Sequence, residues 1–426
     1  MRKIRFFSLI IAVTLSAACA VPSASKKVNT PSTAAPAVTP QTPPTVTETK
    51  PETLSPTPDE PPQQAPKPDQ SSSGTALRIV RVLLADGQQS ASIKHSGRVY
   101  VYTKNLDKKY KISAEGTLAI KALGYEKIQV GSLQSSQPII LEPAKDVFLT
   151  WNNNVYLGKI FIVPFRNTFL IVEHADLETY LYGVLPYEMS YSWPLEALKA
   201  QAVAARTYTL KTIENVKTKH FDVYSDVRSQ VYKGGGKQYD SVRKAVDETK
   251  NEVLTYEDKL FYTYYHGNCG GGTDDVRSWN PTHPELKPLS GAPCSYDSHS
   301  KSYSWKTDVP HSKITAYAQQ EGLGGSLKSI KIAKKTNSGR ATRITLRTSK
   351  GTKIVACNKF RLAIGLKSCK ISKIDMHHRS LHIAGHGYGH GIGMCQDGAN
   401  GMAKAGKNYR QILKNYYPGS KLTTLK

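Results

Sequence analysis

Residues 21–75 contain no aromatic residue, yet they hold more than half of the 24 prolines in this 426-residue chain. So little apolar surface cannot offset the entropy of ordering the backbone. A packed core is excluded there, and a disordered or partly extended Pro/Thr/Ser-rich tether is expected. A long apolar run is missing too. The stretch from Phe6 to Ala18 follows the cations Arg2, Lys3 and Arg5, but it is too short to span a bilayer comfortably. Residues 1–20 therefore read as an export signal. Two cleavages stay open: a signal-peptidase site at Ala18-Cys19-Ala20, and a lipoprotein box ending at Cys19, the residue that would be lipidated. The box has Ser16 where a large aliphatic residue is usual. Acidic residues are also scarce, with 33 Asp and Glu against 58 Lys and Arg and a formal net charge of +25. Such a balance suits a polyanion. An exported chain rarely meets nucleic acid, so anionic wall polymers are the expected partners. No internal repeat is present.

From Leu77 on, a core becomes possible. Arg78–Leu84, Val99–Tyr102, Ile139–Leu141 and Lys159–Val163 mix β-branched and aromatic residues and read as strands, some separated by turn signals such as Asp86-Gly87 and Ser96-Gly97. Leu177, Leu181, Val184 and Leu185 recur at helical spacing and stop before Pro186. A second helix is expected from Pro194, with Ser192 near its cap, running through Ala202, Ala205 and Thr209 on an Ala-rich face. Strands return near Val253–Tyr256, Phe261–Tyr265, Ile330–Ile332 and Ile344–Leu346, and a last helix near Tyr409–Tyr416. The mixture predicts an α+β fold rather than alternating βαβ units. It divides into a β-rich N-terminal lobe over 76–165 and a core over 166–426 with a few helices and antiparallel strands.

The segment between the two helices, Leu185-Pro186-Tyr187-Glu188-Met189-Ser190-Tyr191-Ser192-Trp193-Pro194, sets one carboxylate among aromatic and apolar neighbours. Cleaving a glycosidic bond requires an acid still protonated near neutral pH. An apolar setting, and the negative end of the preceding helix, raise a Glu in that direction. The competing reading is a connecting loop with core aromatics and a solvated Glu.

Ordered motifs decide between these readings. The Leu-Tyr-Gly-Val run before Glu188-Met189, and the run Pro194-Leu195-Glu196-Ala197-Leu198-Lys199-Ala200-Gln201-Ala202-Val203-Ala204-Ala205-Arg206-Thr207-Tyr208 after it, resemble the signature of the SpoIID/LytB family. Ser229-Gln230-Val231-Tyr232-Lys233-Gly234, Tyr265-His266-Gly267-Asn268-Cys269-Gly270-Gly271, and Gly385-His386-Gly387-Tyr388-Gly389-His390-Gly391-Ile392-Gly393-Met394-Cys395-Gln396 are similar to its later elements. The Tyr416-Tyr417-Pro418-Gly419 ending fits too. The resemblance covers roughly 78–420.

It implies a lytic transglycosylase that cuts glycan strands between N-acetylmuramic acid and N-acetylglucosamine and leaves 1,6-anhydro ends, preferring glycan without stem peptides. Glu188 would be the catalytic acid and base. Tyr187, Arg206, Gln230, Tyr232, His390 and Gln396 would contact substrate, with Arg206 suited to the lactyl carboxylates that peptide removal leaves. Arg206 could equally pair with a neighbouring acid inside the protein. The same resemblance admits another class, a glycan-binding modifier of a wall amidase that cuts nothing. Neither reading involves nucleic acid, and a membrane enters only through the N-terminal anchor.

For the remaining cysteines, the resemblance implies zinc on His266, Cys269 and Cys294, with Asp297, His299 or water as a fourth ligand. A Cys269–Cys294 disulfide is the rival. Cys357 and Cys369 read as an added disulfide. Cys395 stands where the family usually has Ser. With His390 nearby it could be a thiol nucleophile. His386 and His390 would meet on a helix, but the alternating glycines around them argue against one.

Overall fold

The structure, a computed structural model, describes residues 78–103, 109–216, 218–236 and 239–426. The expected export signal, the tether and Cys19 lie outside the described residues.

The first part of the chain is β-rich. A seven-stranded sheet takes the order 223–224, 79–88, 168–176, 159–165, 139–143, 99–103, 110–112. Its pairs are antiparallel except the short parallel one between Val82-Leu83 and Val223-Tyr224. A second, six-stranded sheet runs 154–156, 149–151, 90–95, 116–122, 128–130, 133–135. Along Gly116–Ala122 only Leu118 and Ile120 are buried. That two-residue period turns one face of the strand to the core and the other to water. The mixed α+β class expected from the pattern is what is found.

Seven α-helices occur among the described residues: α1 (Leu177–Glu188), α2 (Leu195–Asn215), α3 (Asp240–Asp247), α4 (His311–Gln320), α5 (Cys357–Ile364), α6 (Gln396–Lys404) and α7 (Tyr409–Tyr416). Two differ from the pattern reading. α1 runs through Pro186 to Glu188, because Met189 N–H still closes on the Leu185 carbonyl at 2.9 Å and Leu181, Val184 and Leu185 stay fully buried. α2 begins at Leu195 with Pro194 in the capping position, and Ser192 instead meets the Ser190 hydroxyl.

Most of α2 is buried between two cores. Ala202 and Ala205 face the sheets and α1, while Leu198, Ala200, Val203 and Ala204 face α6, α7 and the Met394-Cys395 strand. A helix buried on most of its faces needs small side chains so that neighbours can approach. The alanine run supplies them.

A third core belongs to a lobe over residues 304–386. It holds Trp305, Ile314, Phe360 and Leu381 between α4, α5 and two three-stranded sheets. Buried Arg340 ties this lobe to the rest, through Asp274 at 2.8 Å and the Cys269 carbonyl at 3.0 Å. The expected strand over Phe261–Tyr265 is reduced to Tyr265-His266, which pairs in parallel with Met394-Cys395.

Candidate active site and metal centre

Glu188 is the last residue of α1 and is only partly exposed. Its Oε1 accepts the Val231 N–H at 3.0 Å, and the Gln396 side chain bonds it as well. Burial pushes its carboxyl from the usual 4.5 up to about 7, although both hydrogen bonds pull the other way. No second carboxylate is among the groups that shift it. At neutral pH a large share of Glu188 is therefore protonated, yet still reachable from solvent.

The aromatic setting is real but is built from other residues than its chain neighbours. Tyr180, Tyr208 and Tyr265 lie within reach of the Glu188 charge; burial pushes their hydroxyls up, and that charge adds to it. Among the chain neighbours, Met189 is buried in the second core, Trp193 packs against it, and Tyr191 stacks on Tyr239 at 3.9 Å. Tyr187 stands at the rim, exposed, with the Lys233 ammonium 5.1 Å from its ring centre.

Gln396, at the start of α6, reaches Glu188 and also donates to Gln201 Oε1 at 3.4 Å. It sits there because Gly387, Gly389, Gly391 and Gly393 all have positive φ. A Cβ on Gly393 would lie 1.9 Å from the Tyr264 carbonyl. Only glycine allows that approach, and the expected non-helical path is what the motif builds.

Several expected substrate contacts are turned inward. Arg206 is 0 % exposed. Its guanidinium forks onto Glu178 at 2.6–3.2 Å and donates to the Glu252 and Val246 carbonyls. Of the two roles open to Arg206, the internal ion pair is the one found, because Glu178 in the first turn of α1 faces it directly. Tyr232 is likewise buried and donates to Glu173 at 2.7 Å. Gln230 is buried too: it donates to Thr209 and Tyr180 and accepts from Tyr265, all behind Glu188. His390 uses both ring nitrogens, Nε2 donating to the Tyr265 carbonyl and Nδ1 accepting from Ile392 N–H. Burial lowers it to about 4, so it is a neutral strut, stacked on Trp279.

The expected metal set is revised. Cys269, Cys294, Asp297 and Cys395 bring one ligand atom each within 4.8 Å of one another, all buried. His266 is not among them. Its Nδ1 bonds the Ile392 carbonyl, and its Nε2 has no partner among the described residues. Three sulfurs and one carboxylate oxygen suit tetrahedral zinc, whose ligand atoms, about 2.3 Å from the metal, lie roughly 3.8 Å apart. Asp297 Oδ1 is buried with no hydrogen-bond partner among the described residues, as a ligand-ready oxygen would be. Cys395 also occupies the capping position of α6, where Sγ accepts the Gly398 N–H at 3.3 Å. That position explains a usual Ser, a preferred N-cap. Five cysteines follow Cys19, and an odd number leaves one without a disulfide partner. This parity was the available signal for Cys395. The thiol-nucleophile reading finds no support in this geometry, since His390 spends both nitrogens elsewhere. Cys357 and Cys369 are both buried and free.

The family profile described as SpoIID, Stage II sporulation protein, matches residues 166–256. An uncharacterized protein of Brachyspira hyodysenteriae is 34% identical over 352 residues, which is 80% of this chain and 92% of that protein. The Stage II sporulation protein D of Bacillus subtilis is 30% identical over 62% of this chain and 79% of its own length. The amidase enhancer of Bacillus subtilis is 33% identical over 57% of this chain, but the match spans only 40% of that larger protein.

Proposed function

Because the chain belongs to the SpoIID family, we propose that it is a peptidoglycan lytic transglycosylase with Glu188 as its single acid and base. The protonated carboxyl gives its proton to the glycosidic oxygen, and the bond from that oxygen to C1 of N-acetylmuramic acid breaks. The resulting carboxylate then takes the proton of the sugar's own C6 hydroxyl, whose oxygen closes on C1. The proton inventory balances without water, and the product is a 1,6-anhydro end. The observation that supports this is Glu188 itself: raised to about 7, partly exposed, and with no carboxylate among the groups that shift it. Hydrolytic glycosidases generally pair two carboxyl groups. Val231 N–H and Gln396 hold the group in place and favour its charged form, ready for the second step. Rim Tyr187 offers a ring face to a sugar.

Incubation of the 76–426 chain with peptide-free glycan, followed by mass spectrometry, should give anhydro products. Glu188→Gln should give none, a loss of at least about 10³-fold. Equal turnover by the two would falsify the assignment. The likeness to an amidase enhancer favours a second reading, a glycan-binding partner of a wall amidase. That reading requires both proteins to leave glycan uncut and to stimulate an amidase equally.

We further propose that Cys269, Cys294, Asp297 and Cys395 hold one zinc ion. Bound there, it would cross-link three segments distant in sequence, the chemistry of a structural zinc site. Elemental analysis of protein purified without chelator should find about one zinc per chain, and Cys395→Ala should lower it. A mass showing a Cys269–Cys294 disulfide would defeat this. The setting we infer is the cell envelope, with Cys19 as a lipid anchor. No helix among the described residues is long and apolar enough to cross a membrane.

A further inference from the structure

The lobe over residues 304–386 carries 17 Lys and Arg but only three acids, Asp308, Glu321 and Asp375. It holds more than half of the chain's net charge of +25. Each of its acids is already paired, with His382, Lys359 and Lys373. The cations are concentrated on the sheet formed by Leu327–Lys335, Ala341–Thr348 and Gly351–Ala356. Ile330, Ile344, Leu346 and Val355 turn one face of this sheet into the lobe core. The other face presents Lys331, Lys334, Arg343 and Arg347, all exposed and none ion-paired among the described residues. The register sets Lys334 directly opposite Arg343, and Lys331 opposite Thr345, diagonal to both arginines. Like charges opposite one another on a sheet are destabilising, and diagonal neighbours lie about 7–8 Å apart. Folding supplies no counter-charge for this face.

We infer that this face is a docking surface for the carboxylate-bearing, peptide-free glycan strand, outside the cleavage site; the inference rests on the function proposed above. Two observations choose the occupant. None of the three strands carries an aromatic residue, so the face recognises repeated charge rather than stacked bases or sugar rings. The lobe is also joined to the site through the chain. Strand Ser380–His386, in the lobe's other sheet, continues through the glycine path to Gln396, which bonds Glu188. A strand with a lactyl carboxylate on every second sugar can lie along one while it is cut at the other. Stem peptides tie up those carboxylates as amides and carry their own acids on mobile chains, so only peptide removal leaves a regular row of charges fixed to the sugar backbone.

The test uses the exported full chain carrying Glu188→Gln, so that glycan is bound and not cut. It is compared with the same chain bearing K331Q, K334Q, R343Q and R347Q. Retention on peptide-free glycan should fall about tenfold or more in the multiple variant at about 50 mM salt, with the difference shrinking as salt screens the charges. Glycan with intact stem peptides should be held more weakly by the parent and hardly differently by the variant. In the Glu188-containing background, the four substitutions should leave cleavage of short soluble glycan unchanged. Unchanged retention, or a parent preference for duplex DNA or anionic phospholipid vesicles at equal charge, would overturn the inference. Substituting Lys for Arg at 343 and 347 should restore retention, which separates lost charge from a misfolded lobe. Should Glu188→Gln still cut glycan, the proposed chemistry fails. The binding contrast is then read in the cold and within minutes, before cutting has shortened the glycan.

Discussion

Glu173 and Glu188 are both pushed up to about 7 by burial, yet they occupy opposite kinds of place. Glu173 is 0 % exposed, inside the first core, and accepts from Tyr232 and the Gly158 N–H. Glu188 stands at the end of a helix with one edge open to solvent. A third carboxylate completes the series. Glu178, in the first turn of the helix that ends at Glu188, is held by the Arg206 fork. A perturbed pKa therefore does not mark the chemistry by itself. Access distinguishes Glu188 from Glu173, and the absence of a paired cation distinguishes it from Glu178. Its position at the negative end of α1 adds to the effect of burial.

The largest expected effect breaks the third member of the series. Arg206→Leu leaves Glu178 without its cation and removes donors from two carbonyls. Breaking a buried pair on one side typically costs about 3–5 kcal/mol. Urea unfolding should show that loss, with the Glu188 pH dependence retained in whatever fraction stays folded. A stable Arg206→Leu protein with impaired glycan binding would instead return Arg206 to the substrate.

The series also shows how much the sequence could reveal. The α+β class, the last helix at Tyr409–Tyr416 and a burying, aromatic setting for Glu188 are legible, because period, breakers and motif order are local signals. Partners at long range were not. Nothing near Arg206 in sequence identifies Glu178, 28 residues earlier, as its mate. Nothing near Cys269 points to Cys395, 126 residues later, apart from an odd count of thiols. The resemblance makes motif residues such as Gln230 and Tyr232 substrate contacts. They brace the wall behind Glu188 instead, because a motif records which residues are needed and not which way they face. α3, α4 and α5 leave no clear periodic signal, since each spans only two to three turns.

The smaller effect sharpens the comparison of Glu173 with Glu188. Between their ordinary 4.5 and about 7, both groups keep protons in the native state that the unfolded chain has released. Stability should therefore fall as pH rises through that window and level off above it. Each group contributes at most about 3 kcal/mol to that fall, and the partly exposed Glu188 about 1–2 kcal/mol. Glu188→Gln should thus be about 1–2 kcal/mol more stable than the parent at pH 8, nearly equal to it at pH 4, and inactive. Glu173→Gln should flatten the stability curve as well, but the alkaline fall of glycan cleavage near pH 7 should stay where it is. Chemical denaturation at the two pH values gives the first quantity and a pH–rate profile the second. If Glu173→Gln moved the alkaline limb, the sealed carboxylate would be coupled to the reaction. Access would then no longer be what separates the two groups.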